Sequence, residues 1–242
     1  MNIRAEKLEE ICTALVESLG AEREEAGIVS RILVNADLRG IGTHGLVFLP
    51  MIAERIEAGV LKVPTRLSPI KNDGAILHYD GGNGLGQPAA FIAMTKTIEK
   101  AKQYGLGLSL IKNTNHIGLL AYYSLMAARE GMIGICACNG AASIAPWGGA
   151  EAFFGTNPFS MAAPREKKEP VVLDMSTSLV ARGKIRRALK RGESIPLGWA
   201  LDKQGNPTTD PKAAMEGTLV PIGGPKGSGM ALFIDLICGM LS

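Results

Sequence analysis

Apolar positions in the first sixty residues recur every three or four places. Leu8, Ile11, Cys12, Leu15, Val16 and Leu19 line one face of a predicted helix that Gly20 stops. The stretch "EREEAGIVSRILVNADLRG" repeats the pattern, with acids in its first turn where the helix dipole favours them. Past "GIGTHG", a third helix is predicted through Leu46, Leu49, Ile52, Ala53 and Ile56, ending at Gly59. The opening segment therefore reads as all-helical, with His44 at a helix junction.

From residue 66 the period changes. "RLSPIKND" and "AILHYDG" read as two strands joined by a turn at Asn72-Asp73-Gly74, and a helix follows over about Gln87 to Tyr104. "LGLSLIKN" alternates as a strand, then a bend at His116 leads into a helix through Glu130. "MIGICACN", "FSMAAP" and "EPVVLDMS" are strand-like, the first separated from the others by a long glycine- and proline-rich stretch. "TSLVARGKIRRALKRGE" reads as a helix, and "DKQGNPTTDPKAAMEG" as a loop with a helix start at Asp210-Pro211. The last stretch, "KGSGMALFIDLICGMLS", reads as a helix whose apolar part is buried. Strands alternating with helices predict an α/β protein, and the early hairpin argues against a purely parallel sheet.

Composition narrows the function classes. The 242 residues are 46% hydrophobic and 20% charged, with a net charge of +3. That balance gives no argument for nucleic acid or a membrane surface as a partner, and no apolar run is long enough to span a bilayer. The N-terminus lacks the continuous apolar core of a signal peptide. Cys12, Cys136, Cys138 and Cys238 sit in apolar contexts and read as buried free thiols, which places the chain in a reducing compartment, the cytoplasm. No set of metal ligands accompanies them. The thirty glycines point to tight turns or to backbone approaching a ligand.

Several stretches are candidates for chemistry. "YDGGNGLGQPAA" has glycines at 82, 84 and 86, a G-x-G-x-G spacing that does not fit the dinucleotide fingerprint and reads as a structural turn. "PIGGPKGSG" precedes a helix, so it is either an anion site with Lys226 or a plain turn. The cations Arg182, Lys184, Arg186, Arg187, Lys190 and Arg191 form a solvated face or meet a phosphorylated cofactor. His78 alternates within a strand and reads as structural. His44 and His116 each lie beside a glycine at an element junction, where a ring can reach a cleft and exchange a proton near neutral pH; the alternative is a satisfied junction histidine.

Taken together, "ADLRGIGTHGL", "NTNHIG", "APWGGAEAFFGTNPFSMAAP", "VVLDMSTSLVARGKI", "GNPTTDP" and "PIGGPKGSGMALFIDLICGMLS" resemble the malate/L-lactate dehydrogenase family of the second type, which lacks a Rossmann domain. The resemblance implies an α/β fold with a mixed, largely antiparallel sheet and an N-terminal helical segment. It implies a substrate domain, with residues 1–65 as its helical segment and 66–115 as its strand–helix part. A cofactor-binding domain would follow over 116–215, and a return helix over 216–242. The family's further C-terminal part is missing from this chain. It also implies a homodimer that uses NADH or NADPH to interconvert a 2-hydroxy and a 2-oxo acid, or a related imine.

By the same resemblance His44 is the acid that protonates the new hydroxyl or amine, and His116 a second catalytic group. Asp174 would be a third, orienting or charge-stabilising such a ring. Asp174, Met175, Ser176, Thr177 and Ser178 would contact the cofactor, as would Pro225 and Lys226, and no metal takes part. The sequence departs from the family at Phe48, where an arginine suited to a substrate carboxylate is common. Either another cation, such as Arg39 or Arg182, takes that carboxylate, or the substrate differs. The rival expectation is a truncated homologue that keeps a dimerising core and catalyses nothing.

Overall fold

The computed structural model describes residues 3–242. They form two compact units, one of residues up to Gly134 with Met161–Val172 and Ser242, the other of Ile135–Ser160 with Leu173–Leu241.

The first unit opens with helices α1 (Ala5–Ser18) and α2 (Arg23–Leu38). Glu22 and Glu25 close a reciprocal capping box at the start of α2, which fixes where that helix begins. Cys12, Val16, Val29 and Leu33 from the two facing stripes pack with Ile52 of α3 (Leu49–Glu57) in one cluster. Burial of these stripes, at roughly 25 cal/mol per Å² of apolar area, is what holds three short helices together. Strands β1 (Ser68–Asp73) and β2 (Ile76–Asp80) form the expected antiparallel hairpin, and β3 (Leu108–Lys112) joins β2 in parallel. Helix α4 (Gly86–Tyr104) supplies the crossover length that a parallel pair needs, and its Ala93 packs on Leu77 and Tyr79. Helix α5 (Leu120–Arg129) completes this unit.

Three further strands, β4 (Gly134–Ala137), β5 (Phe159–Arg165) and β6 (Lys168–Met175), hydrogen-bond in the order β4–β5–β6. The second unit holds α6 (Arg182–Arg191), α7 (Pro211–Glu216), α8 (Pro225–Asp235) and a small antiparallel sheet. That sheet is β7 (Ala200–Leu201), β8 (Pro207–Thr208) and β9 (Thr218–Leu219), in the order β8–β7–β9. Its core gathers Ile144, Phe154, Ile185, Leu219 and Ala231. The fold is thus a mixed α/β one with small, mainly antiparallel sheets.

Three details differ from the sequence reading. Strands β7 to β9 are two residues each, too short to show any alternation. Helix α6 starts at Arg182 rather than near Thr177, because residues 177–179 pair with the 220–222 segment: Leu179 N–H donates to Val220 (2.8 Å) and Ile222 N–H to Thr177 (2.8 Å). The final apolar stretch is not a buried helix: after α8 it passes into a π turn, Leu236–Met240. Ala231 reaches the core, whereas Phe233 and Met240 are 65% and 77% exposed, because only one side of this stretch packs on the unit's core. No helix of the described residues is long and apolar enough to cross a membrane.

Candidate functional site

Helix α2 ends where Gly40, at a φ of +73°, lets the chain reverse. Gly40 N–H donates to Asp37 C=O and Ile41 N–H to Ala36 C=O, both at 2.9 Å, which is a Schellman closure. His44 N–H then bonds Ile41 C=O (2.9 Å), and a 3-10 turn at Leu46–Phe48 feeds α3. The half-buried His44 ring is thereby presented from a tight loop, with its Nδ1 3.0 Å from the Thr43 hydroxyl. Gly45 is needed for packing rather than for ligand approach: a Cβ there would overlap the Asp37 carboxylate.

His116 stands on a second loop, between β3 and α5. The Asn115 side-chain amide donates to the carbonyls of Asn83 and Gly84, both at 2.9 Å, and the buried Tyr123 hydroxyl donates to Ile117 C=O. Gly86 explains part of the G-x-G-x-G stretch, since a Cβ there would collide with the Asn115 and His116 carbonyls. Those glycines serve close backbone approach, as expected of a structural turn. Gly118, at a φ of +80°, turns its N–H back onto His116 Nδ1 at 3.2 Å. An amide N–H can only donate, so Nδ1 accepts and the neutral ring carries its proton on Nε2.

The two loops bring both histidines together. Their ring centroids are 5.7 Å apart at 28°, and the Phe48 ring stacks on His116 at 4.1 Å and 16°. Burial, then the charges of His44 and Arg55, lower the His116 pKa from 6.5 to about 4. Backbone donation to Nδ1 and the aromatic lid of Phe48 favour the same neutral form. His116 is therefore an uncharged imidazole at physiological pH, a hydrogen-bond donor through Nε2 and not a proton reservoir. Sequence reasoning named both histidines, but not the partners that hold them. Asp37 carried the one readable signal, an acid in the last turn of a helix, where cations are preferred.

The remaining candidates belong to the second unit. Asp174 and Met175 end β6, where the charge of Asp174 helps raise the pKa of Cys138, which burial, before other charges, pushes up to about 12. None of the four cysteines forms a disulfide among the described residues; Cys12 is buried and the other three are half-buried, so the sequence reading of four buried thiols holds for Cys12 alone. Ser176, Thr177 and Ser178 spend their hydroxyls locally: Thr177 donates to Thr156 C=O (3.0 Å), Ser178 to Val180 C=O (2.8 Å), and Ser176 lies 2.9 Å from Ser178. The pairing of Thr177 with Ile222 sets this segment alongside the loop that leads to Pro225 and Lys226. There Gly224 packs on the Trp147 ring and Gly227 on Ile222 C=O, so the glycines of "PIGGPKGSG" again permit close packing. Lys226 is exposed in the first turn of α8 and joins no ion pair among the described residues. On α6, the Arg182 guanidinium donates to Met215 C=O at 2.6 Å and is committed to the fold.

Residues 3–242 match the family model described as malate/L-lactate dehydrogenase. The ureidoglycolate dehydrogenase (NAD(+)) of Escherichia coli K12 is 42% identical, over all of this chain and 68% of its own length. The (2R)-3-sulfolactate dehydrogenase (NADP(+)) of Chromohalobacter salexigens is 37% identical, over 99% of this chain and 72% of its own. Among solved structures, a dehydrogenase from Sinorhizobium meliloti superposes with a TM-score of 0.93 at 39% identity, with 100% and 71% of the two chains covered. The delta1-piperideine-2-carboxylate reductase of Pseudomonas syringae gives 0.95 at 27%, over 100% and 73%.

Proposed function

The chain belongs to the malate/L-lactate dehydrogenase family, and from that premise we propose that it reduces a 2-oxo acid, or the corresponding imine, with His44 as the proton donor. The observation that carries this reading is the stacked pair of unlike histidines. A nicotinamide cofactor supplies the hydride; what the chain must supply is a proton and a donor for the charge that develops on the substrate oxygen. His44, half-buried and beside the Thr43 hydroxyl, is the group that releases and retakes the proton. His116, locked as the Nε2–H tautomer, donates a hydrogen bond without titrating. Phe48 keeps water off one face of that ring.

For the cofactor we propose contacts from Asp174 to Ser178 and from Pro225 and Lys226. The exposed ammonium of Lys226 at the N-terminus of α8 suits a phosphate. Asp174 is kept as a proposed orienting carboxylate. We favour NADPH over NADH, because Lys184, Arg186, Arg187 and Lys190 on α6 form no ion pair among the described residues and suit a 2′-phosphate. We propose a cytoplasmic homodimer, and thiols that form no disulfide among the described residues suit a reducing compartment.

The test is a fluorescence titration of the protein with NADH and NADPH, followed by oxidation assays on malate, sulfolactate and ureidoglycolate. Saturable binding, tighter for NADPH, and oxidation of one 2-hydroxy acid are expected. A folded protein that binds neither cofactor would overturn the reading.

A further inference from the structure

Asp37 breaks a local rule. It is the next-to-last residue of α2, where the helix dipole disfavours an anion, and the last turn contains no basic residue to offset it. No ion pair among the described residues includes it. A charge placed against local preference is expected where it serves a site.

What it touches is the His44 loop, from both ends. Its backbone carbonyl accepts Gly40 N–H (2.9 Å) at the start of the loop, and its carboxylate Oδ2 accepts Leu46 N–H (2.9 Å) at the end. Between them, Gly45 lies so close to the carboxylate that no side chain fits, and an ideal Cβ on Gly42 would stand 3.5 Å from Oδ1. Three of the residues from 40 to 46 are glycines, so this loop has little stiffness of its own. Backbone hydrogen bonds turn its first half, and the carboxylate braces the half around Gly45 and Leu46. We propose that Asp37 is a positioning residue: by clamping residues 42–46 it sets where the His44 ring stands beside His116. The inference rests on the reading of His44 as the proton donor. It assigns Asp37 no contact with substrate.

The test compares Asp37→Ala with Asp37→Asn, whose amide oxygen can still accept Leu46 N–H, in otherwise unchanged protein and in a His44→Asn background. In Asp37→Ala the account expects kcat to fall at least about tenfold, the size of one lost orienting contact. KM and the NAD(P)H Kd should stay within about twofold. Asp37→Asn should recover most of the loss. In the His44→Asn background, Asp37→Ala should cost nothing more, because the two act as one unit. A second readout needs no turnover: the NOE between the His44 and His116 rings should vanish in Asp37→Ala and persist in Asp37→Asn. An NOE unchanged in Asp37→Ala, or an equal kcat loss with and without His44, would overturn the proposal. If His44→Asn itself keeps full turnover, the proton-donor reading fails, and the NOE alone decides the clamp. Should Asp37→Ala not fold, Gly45→Ala presses on the same carboxylate from the loop side and must show the same lost NOE.

Discussion

His44 and His116 occupy nearly matching sequence settings, each beside a glycine at an element junction, yet the structure gives them different surroundings. His116 is half-buried, with its Nδ1 fixed by Gly118 N–H and one face covered by Phe48. His44 is half-buried on a loop held by a carboxylate, with a hydroxyl at its Nδ1. The difference lies in what surrounds each ring, and on the function proposed above two similar motifs would yield one neutral donor and one proton carrier. This division of labour can be broken at either ring.

The largest effect is expected at His44. His44→Asn should lower turnover by about 10²–10⁴-fold, the usual worth of a positioned general acid, with cofactor affinity unchanged. His116→Gln, which keeps a neutral N–H donor, should cost much less. Equal losses from the two variants, measured by steady-state kinetics, would erase the distinction.

The next effect is on stability. The folded pKa of His116 is lowered from 6.5 to about 4, so between those values the unfolded chain binds the extra proton. Stability is then fully present above pH 6.5 and is lost as pH falls toward 4, by about 3 kcal/mol in all at ~1.4 kcal/mol per pKa unit. Urea unfolding at pH 7 and pH 4.5 should show this slope, and His116→Asn should remove most of it.

A smaller effect is expected at the aromatic lid. Phe48→Ala should cost about 2 kcal/mol, below the usual range for a fully buried phenylalanine because this ring is only half-buried. It should also let water reach His116 and move its pKa back toward 6.5. A variant with lost stability but an unmoved His116 pKa would mean that the stack contributes packing alone.

Much of this was readable from the chain. The helices α1 to α5 follow their apolar spacing, and the β1–β2 hairpin follows its turn residues, because each buries a face that repeats at its own period. Both histidines were readable too, as ionisable rings where loops leave helices or strands. The clamp of Asp37, the tautomer lock of Gly118 and the stack of Phe48 on His116 were not, since each joins residues whose spacing follows no period. Phe48 appeared in the sequence only as a missing arginine; its positive role needed the ring geometry. The exposed side of the last apolar stretch was also hidden, because hydrophobicity alone does not say which face finds a partner.

The most direct test is a pH titration of the protein with ¹⁵N-labelled histidine, followed by NMR. The account predicts that His116 keeps the Nε2–H tautomer from pH 8 down to about 5 and protonates only near pH 4. A His116 ring that titrates near 6.5, or shows the Nδ1–H form at neutral pH, would contradict the split between the two histidines on which the mechanism stands.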